Sequence, residues 1–388
     1  MARRHETVII GGGIAGLACA RRLHDAQRPF VLITEDVGGR IRTSTDGKVN
    51  LGAYYVRNDY SYVNRFVERG RRIKRRHMLR GNEDGSFTRS DLPLLLHLPQ
   101  TVRFLRAMRE FRRHYETFKQ DCLLVSQAEA IRADPLLWNL YHESATRFIA
   151  RNRIGDVTRS YLEPAIRGTG FTSVDRLTAF TLLVGVLPTV IPIFEYTFRF
   201  DVLTDGFEDA LLFDSVTAVT PASGYYAIQT RHSGGFAADN VVVATPIDVS
   251  ARLLDLGPVK SPIHAHMFLV RGNLRRPWSA AAFSLFPEGD PLLALARQTE
   301  GSTLLCSLSE DPDLARYFTT WEVVERHHWN PAFHLEGDVL LECEREPGLY
   351  LVGDHNVCDL EDSYITGVYA ANRILARSGR PKSASPPP

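Results

Sequence analysis

Charge of one prevailing sign is missing from this chain. Across 388 residues, Lys and Arg total 46 against 45 Asp and Glu, so no overall field exists to gather nucleic acid. Cysteine is sparse as well. Cys19, Cys122, Cys306, Cys343 and Cys358 form no CxxC pair and no zinc spacing, which argues against a metal site and suits a reducing, cytoplasmic compartment. No repeat of solenoid or propeller length is present. MARRHE leads directly into an apolar strand, leaving no room for the apolar core of a signal peptide. Long uncharged runs are nearly absent too. The exception is LTAFTLLVGVLPTVIPIF, Leu177 to Phe194, 18 residues interrupted by Pro188 and Pro192. It reaches the lower limit of a membrane span, but the prolines break it. The expectation is a buried helix followed by an extended segment lining an apolar cavity, with peripheral membrane contact as the alternative.

What is present describes a globular protein, 44% hydrophobic and 23% charged, and longer than one ordinary core, so two domains are expected. One segment breaks the even charge: RFVERGRRIKRRHMLR, Arg65 to Arg80. The plain reading is a solvated helix end and edge strand; the others are an anionic substrate, a partner or a membrane surface. A sharper signal is VIIGGGIAGLACARRL, Val8 to Leu23. Gly11, Gly13 and Gly16 follow an apolar strand and open a helix, the context that gives GxGxxG its meaning. The first glycine permits the tight turn, the second lets backbone approach a pyrophosphate, and the third lets helix and strand pack closely. The helix N-terminus then offers N–H groups and partial positive charge to phosphates. Glu35 ends the next apolar run about 20 residues on, where an acid accepts ribose hydroxyls and repels a 2′-phosphate. NAD and FAD both remain open at this point.

Three further motifs follow: VGGRIRTS from Val37, VNLGAYYV from Val49, and GLYLVGDHNVCDLEDSYITGVYAANRI from Gly348. With these the chain resembles the flavin-dependent amine oxidase and phytoene desaturase superfamily. The resemblance implies a discontinuous Rossmann-type α/β FAD-binding domain in three segments, 1–70, 200–260 and 345–378. A second, α+β substrate-binding domain is expected from 71–199 and 261–344, with 379–388 a disordered tail. It also implies non-covalent FAD. Gly38 and Gly39 would let the loop pass the pyrophosphate while Arg40 adds charge there. Gly52 and Ala53 would be small against the isoalloxazine ring, the Val216 backbone would bind adenine, and the Asp354 carboxylate after Gly353 would accept ribityl or ribose hydroxyls. A helix starting near Asp362, with Ser363 and Tyr364 in its first turn, would aim N–H groups at the flavin pyrimidine edge. Asp362 and Ser363 stand where members usually carry glycine and alanine.

The remaining pattern is helical from Leu92 to Glu129, with Leu94, Leu95, Leu98, Val102, Leu105 and Met108 at helical spacing, and again from Trp138 to Ala150. TFRFDVLT, SVTAVT, YYAIQTR and NVVVATP read as strands of a meander, and Ala265 to Arg271 as another. Amine oxidases of the family usually keep a lysine near flavin N5. Between Pro246 and Tyr350 the sequence has only Lys260, in the turn GPVKSP. On the strand that follows, His264 and His266 share a face and are the catalytic candidates. RSYLEPAIRGTGFTSVDRLTAFTLL, from Arg159, resembles desaturases and protoporphyrinogen oxidases more than amine oxidases. The resulting expectation is a FAD-dependent oxidoreductase, a desaturase or dehydrogenase taking a hydride from a largely apolar small molecule in a biosynthetic pathway. A flavin amine oxidase and a non-redox flavin isomerase or mutase are the alternatives.

Overall fold

The computed structural model describes residues 3–74, 77–82, 86–89 and 91–378; the tail expected from 379 lies outside them. Its largest sheet is eight-stranded and centred on Arg3–Gly13. Val31–Gly38 pairs with this first strand in parallel on one side and Gly235–Val243 on the other. Leu211–Phe213 and Leu349–Leu351 extend the parallel order outward. Val8, Ile9, Ile10, Val241, Val242 and Val243 are all buried, as befits parallel strands covered on both faces. Tyr225–Thr230 and Val216–Ala222 add an antiparallel meander to the same sheet. Its strands therefore come from three separated stretches of chain.

The first helix, Ile14–Asp25, lies against the C-terminal helix, Leu360–Ser378. Their contact depends on Gly367, where a Cβ would collide with the Ala15 carbonyl. Both helices begin at the same edge of the sheet. That convergence creates the site.

The second unit is built on a seven-stranded sheet. Ser261–Leu274 lies between the long strand Phe318–Glu336 and Thr303–Ser307, and the order runs outward through Leu292–Arg297 and Phe283–Leu285 to Met78–Gly81 and Phe87–Arg89. Helices between Leu92 and Gly185 cover one face. Leu98–Asp121 is the longest of them, and its buried stripe runs through Phe104, Met108, Phe111, Tyr115 and Phe118. The aromatic side chains carry more apolar area and take the inner face. Leu95, Leu98, Val102 and Leu105, four of the six residues of the stripe expected from spacing, are instead exposed.

Leu177 to Phe194 becomes the helix Ala179–Gly185, a short turn at Leu187–Thr189 and the start of the strand Ile193–Phe198. Of TFRFDVLT only Thr197 and Phe198 are strand: at Arg199 the backbone N–H bonds the Phe66 carbonyl, and Phe200–Thr204 coils into a helical turn. The basic segment supplies the strand Val67–Ile73, paired with Ile193–Phe198. Among the described residues no helix is long and apolar enough to cross a membrane, and no group of three His, Cys, Asp or Glu side chains is placed to hold a metal ion.

Candidate active site

A cavity of about 750 Å³ runs from the glycine turn, past the start of the C-terminal helix, to the helical layer of the second unit. The turn that opens it is fixed locally. Thr34 Oγ1 accepts from the Gly12 N–H at 2.9 Å and donates to the Asp36 carbonyl at 2.6 Å, tying the ends of two neighbouring strands. Gly11 has φ +108°, and a Cβ there would meet the Ala244 carbonyl oxygen at 2.7 Å. Gly16 packs so closely that a Cβ would strike the Gly11 carbonyl. Gly13 differs: its φ is an ordinary −73°, and a Cβ would meet nothing within 4 Å. It faces open cavity, where a side chain would take up ligand space. Gly353 also has nothing within 4 Å of a Cβ, but its φ of +132° favours glycine in its own right.

Of the residues expected from sequence, Gly11, Gly13, Glu35, Gly38, Gly39 and Arg40 line this one cavity, together with Gly52, Ala53, Val216, Gly353, Asp354 and Ser363. Glu35 is exposed within the strand Val31–Gly38 and accepts from the Ser215 hydroxyl. Beside it, the Asp214 carboxylate accepts backbone N–H groups of Ser215, His232 and Ser233. Those bonds hold it well below the usual carboxylate range against the opposing effect of burial. Asp214 thereby fixes the turn presenting Val216, a role the sequence reading missed.

Arg40 and Asp354 form a two-pronged pair at 2.6 and 2.7 Å, and Arg40 also donates to the Ala332 carbonyl at 3.2 Å. Burial alone would weaken both charges; each outweighs that for the other, so Asp354 stays far below and Arg40 above its ordinary value. A guanidinium carries five donors. These bonds leave the Nε–H and one Nη2 hydrogen for an anion in the cavity. The pair thus links the loop after Gly39 to the strand end at Gly353.

The first turn of the C-terminal helix distributes its residues by helical phase, about 100° apart. Ser363 lines the cavity, and its Oγ donates to the Asp359 carbonyl at 2.8 Å. Tyr364 does not. Its ring is buried beside Phe66, with its hydroxyl accepting from Arg65, so a cofactor contact through that side chain is corrected to a core role. Asp362 points to the opposite side, accepting from the Tyr115 hydroxyl at 2.5 Å. Burial, then the nearby Asp359, push its carboxyl upward. Its presence in place of a glycine therefore leaves the cavity side of the helix clear.

His264 and His266 do share a face, but it is the outward one: Ile263, Ala265 and Met267 occupy the inner face of the strand. Neither histidine lines the cavity, and the catalytic assignment is corrected accordingly. His266 stacks on His328 at 4.3 Å, and it is His327 and His328, on the neighbouring strand, that reach the cavity wall. The residue that sequence reasoning passed over is Lys260. Only 5% exposed, it lines the cavity, and its Nζ donates to the Asn356 carbonyl at 3.2 Å. Burial lowers its pKa to about 8. Its one signal in the sequence was to be the only lysine over a stretch of some hundred residues. Arg57, fully buried between Asp59 and Asp359, is a second lining residue that was missed.

Residues 9–69 match the family model for an NAD(P)-binding Rossmann-like domain. No curated protein matches the chain in sequence. Among solved structures, it is similar to putrescine oxidase bound to putrescine, at 15% identity and a TM-score of 0.70 over 97% of this chain and 100% of that one. Cyclohexylamine oxidase from Brevibacterium oxydans gives 15% identity and a TM-score of 0.68 over 97% and 100%. A protein from Exiguobacterium sp. 255-15 described as a protoporphyrinogen oxidase gives 15% and 0.63 over 97% and 99%. At such identities it is the fold that is shared, over essentially the full length of each chain.

Proposed function

We propose that this chain is a FAD-dependent oxidoreductase that oxidises a largely apolar small molecule, as a desaturase or dehydrogenase of a biosynthetic pathway. The observation that carries the reading is the continuity of the cavity: a ribose acid, Glu35, and a phosphate turn at one end, and apolar side chains of the second unit, Leu177, Phe180 and Val184, at the other. A dinucleotide fits the first part. Gly13 and Gly353 leave the room that a Cβ would fill, and the start of the first helix together with Arg40 supplies the positive potential a pyrophosphate needs. Bound there without a covalent link, FAD would supply a two-electron acceptor beside the apolar wall.

The chain's own residues then have defined tasks. Gly52 lets its loop pass close against the Arg40 carbonyl, Ala53 leaves a small side chain in the cavity lining, and Tyr54 and Tyr55 bound the space where a substrate carbon would rest. The N-terminus of the C-terminal helix favours negative charge at its end of the cavity. Leu177, Phe180, Val184 and Pro188 exclude water and hold an otherwise featureless substrate, each buried methylene contributing about 0.8 kcal/mol. Five unpaired thiols accord with a reducing, cytoplasmic setting.

A second reading, flavin amine oxidase, has one specific support: Lys260 is a buried, easily neutralised amine in the cavity. Anaerobic mixing of the purified protein with candidate substrates separates the two. The expected result is a yellow protein with one FAD, released on denaturation, that terpenoid, polyene or ring substrates reduce and simple amines do not. Rapid bleaching by putrescine or cyclohexylamine would establish the second reading instead. A colourless protein that takes up no FAD would overturn both.

A further inference from the structure

A second chamber, of about 500 Å³, adjoins the cofactor cavity. The two share Tyr54, Tyr55, Thr169 and Pro188 in their walls, so a molecule filling the chamber would end against the residues that bound the proposed flavin space. Most of the chamber is apolar, with Ile191, Ile193, Phe283 and Leu285 among its walls. Its charged groups have one sign. Arg72, Lys74 and Arg80 line it, and no Asp or Glu among the described residues does.

These three cations are not equivalent. Arg80 is buried, its guanidinium 4.0 Å from the centre of the Tyr161 ring and donating to the Tyr161 carbonyl. It is engaged by the wall itself. Arg72 and Lys74 are exposed at the rim, at the end of the strand Val67–Ile73, and neither makes an ion pair with a described residue. Arg71, one position away and on the other face of the strand, is satisfied by Glu195. The basic segment thus splits: Arg65, Arg69, Arg71 and Arg80 are engaged by the fold, and Arg72 and Lys74 are left at the mouth of an apolar chamber. An isolated ammonium group entering there would meet repulsion from Arg72 and Lys74; a carboxylate would be attracted by both and could pair with them.

We infer that this chamber holds the body of the substrate, and that the substrate carries a carboxylate received by Arg72 and Lys74 at the rim. The inference rests on reading the adjoining cavity as the FAD site. It narrows the substrate to an apolar acid whose oxidisable carbon lies away from the carboxylate, on the side facing Tyr54 and Tyr55.

Calorimetric titration of the full-length protein with octanoate, octanol and octylamine tests it without depending on turnover. Octanoate is expected to bind roughly tenfold or more tightly than octylamine, about 1.4 kcal/mol per factor of ten, and to weaken as salt rises, whereas octanol does not. In the double variant R72Q/K74Q the octanoate advantage is lost while octanol affinity, melting temperature and FAD content are unchanged. Failure of octanoate to bind, equal binding by octylamine, or an advantage that survives in the double variant would overturn the inference. FAD content measured on the same samples keeps the two readings apart: a FAD-loaded protein lacking this pattern sinks the substrate class alone, and a protein that takes up no FAD yet shows it sinks the cofactor reading alone.

Discussion

Lys260 shows how much one residue's surroundings decide. A lysine is ordinarily protonated to beyond pH 10, but burial lowers this one to about 8, against the raising influence of Cys358, Asp354 and Asp338. Between pH 7 and 9 the cavity therefore loses a positive charge. Because a dinucleotide's pyrophosphate is anionic, FAD affinity should fall over that interval by roughly three- to tenfold, the scale of a unit charge about 12–25 Å away at an effective dielectric of about 20. Lys260→Met should bind FAD more weakly at pH 7 and show a flat profile. Fluorescence titration of FAD at several pH values checks this; a wild-type profile as flat as the variant's would remove Lys260 from the electrostatics of the site.

At the scale of the strand–turn–helix element, the two glycines Gly13 and Gly16 serve different ends, and their alanine variants should separate cleanly. Gly13→Ala places a methyl in open cavity from an ordinary backbone conformation, so the cofactor-free protein should keep its stability within about 0.5 kcal/mol while FAD binding is lost. Gly16→Ala drives a methyl into the Gly11 carbonyl and should cost about 1–3 kcal/mol of stability, seen as a lowered denaturant midpoint with or without FAD. This element was legible in the sequence because its geometry is written in residue type: only glycine tolerates those approaches, and Glu35, Gly39-Arg40 and Gly353-Asp354 follow at readable spacings. The same holds for the parallel strands, whose unbroken apolar runs announce burial on both sides. Facing was not legible. Alternation grouped His264 with His266 correctly but cannot tell inside from outside, which is set by pairing with Phe318–Glu336. Likewise, one step of helix phase separates Ser363 from Tyr364, and the burial of Lys260 in a turn is a purely tertiary fact.

For the whole molecule, two buried groups bend the acid side of the stability curve in opposite directions. His355 is held near 4 by burial, and Glu163 is raised to about 7, also by burial. The signs follow from which state takes up the proton. His355 in the unfolded chain protonates as pH falls through about 6.5 while the folded chain resists until about 4, so its contribution is present above 6.5 and lost between those values. Glu163 is already protonated in the fold below 7, so its contribution grows as pH falls from 7 towards 4.5. Relative to wild type, His355→Gln should become progressively more stable on going from pH 7 to 4.5, by about 2–3 kcal/mol. Glu163→Gln should show the reverse by a smaller amount, since Glu163 is less completely buried. Urea midpoints at the two pH values measure both; parallel curves for all three proteins would contradict the assignment.

The interleaving of the large sheet bears on how the molecule is made. Its first strand ends at Gly13, but one parallel neighbour begins only at Gly235 and the next, Leu349–Leu351, stands close to the end of the described chain. At ribosomal rates of roughly 5–20 residues per second, Val8, Ile9 and Ile10 have Val31–Gly38 beside them early but spend on the order of tens of seconds without Gly235–Val243. A cradle that needs both the first strand and Leu349–Leu351 cannot close around a nucleotide until the latter has been made. Until then the nascent chain should depend on chaperones, and flavin supply should govern the yield of folded protein rather than the early steps of its folding.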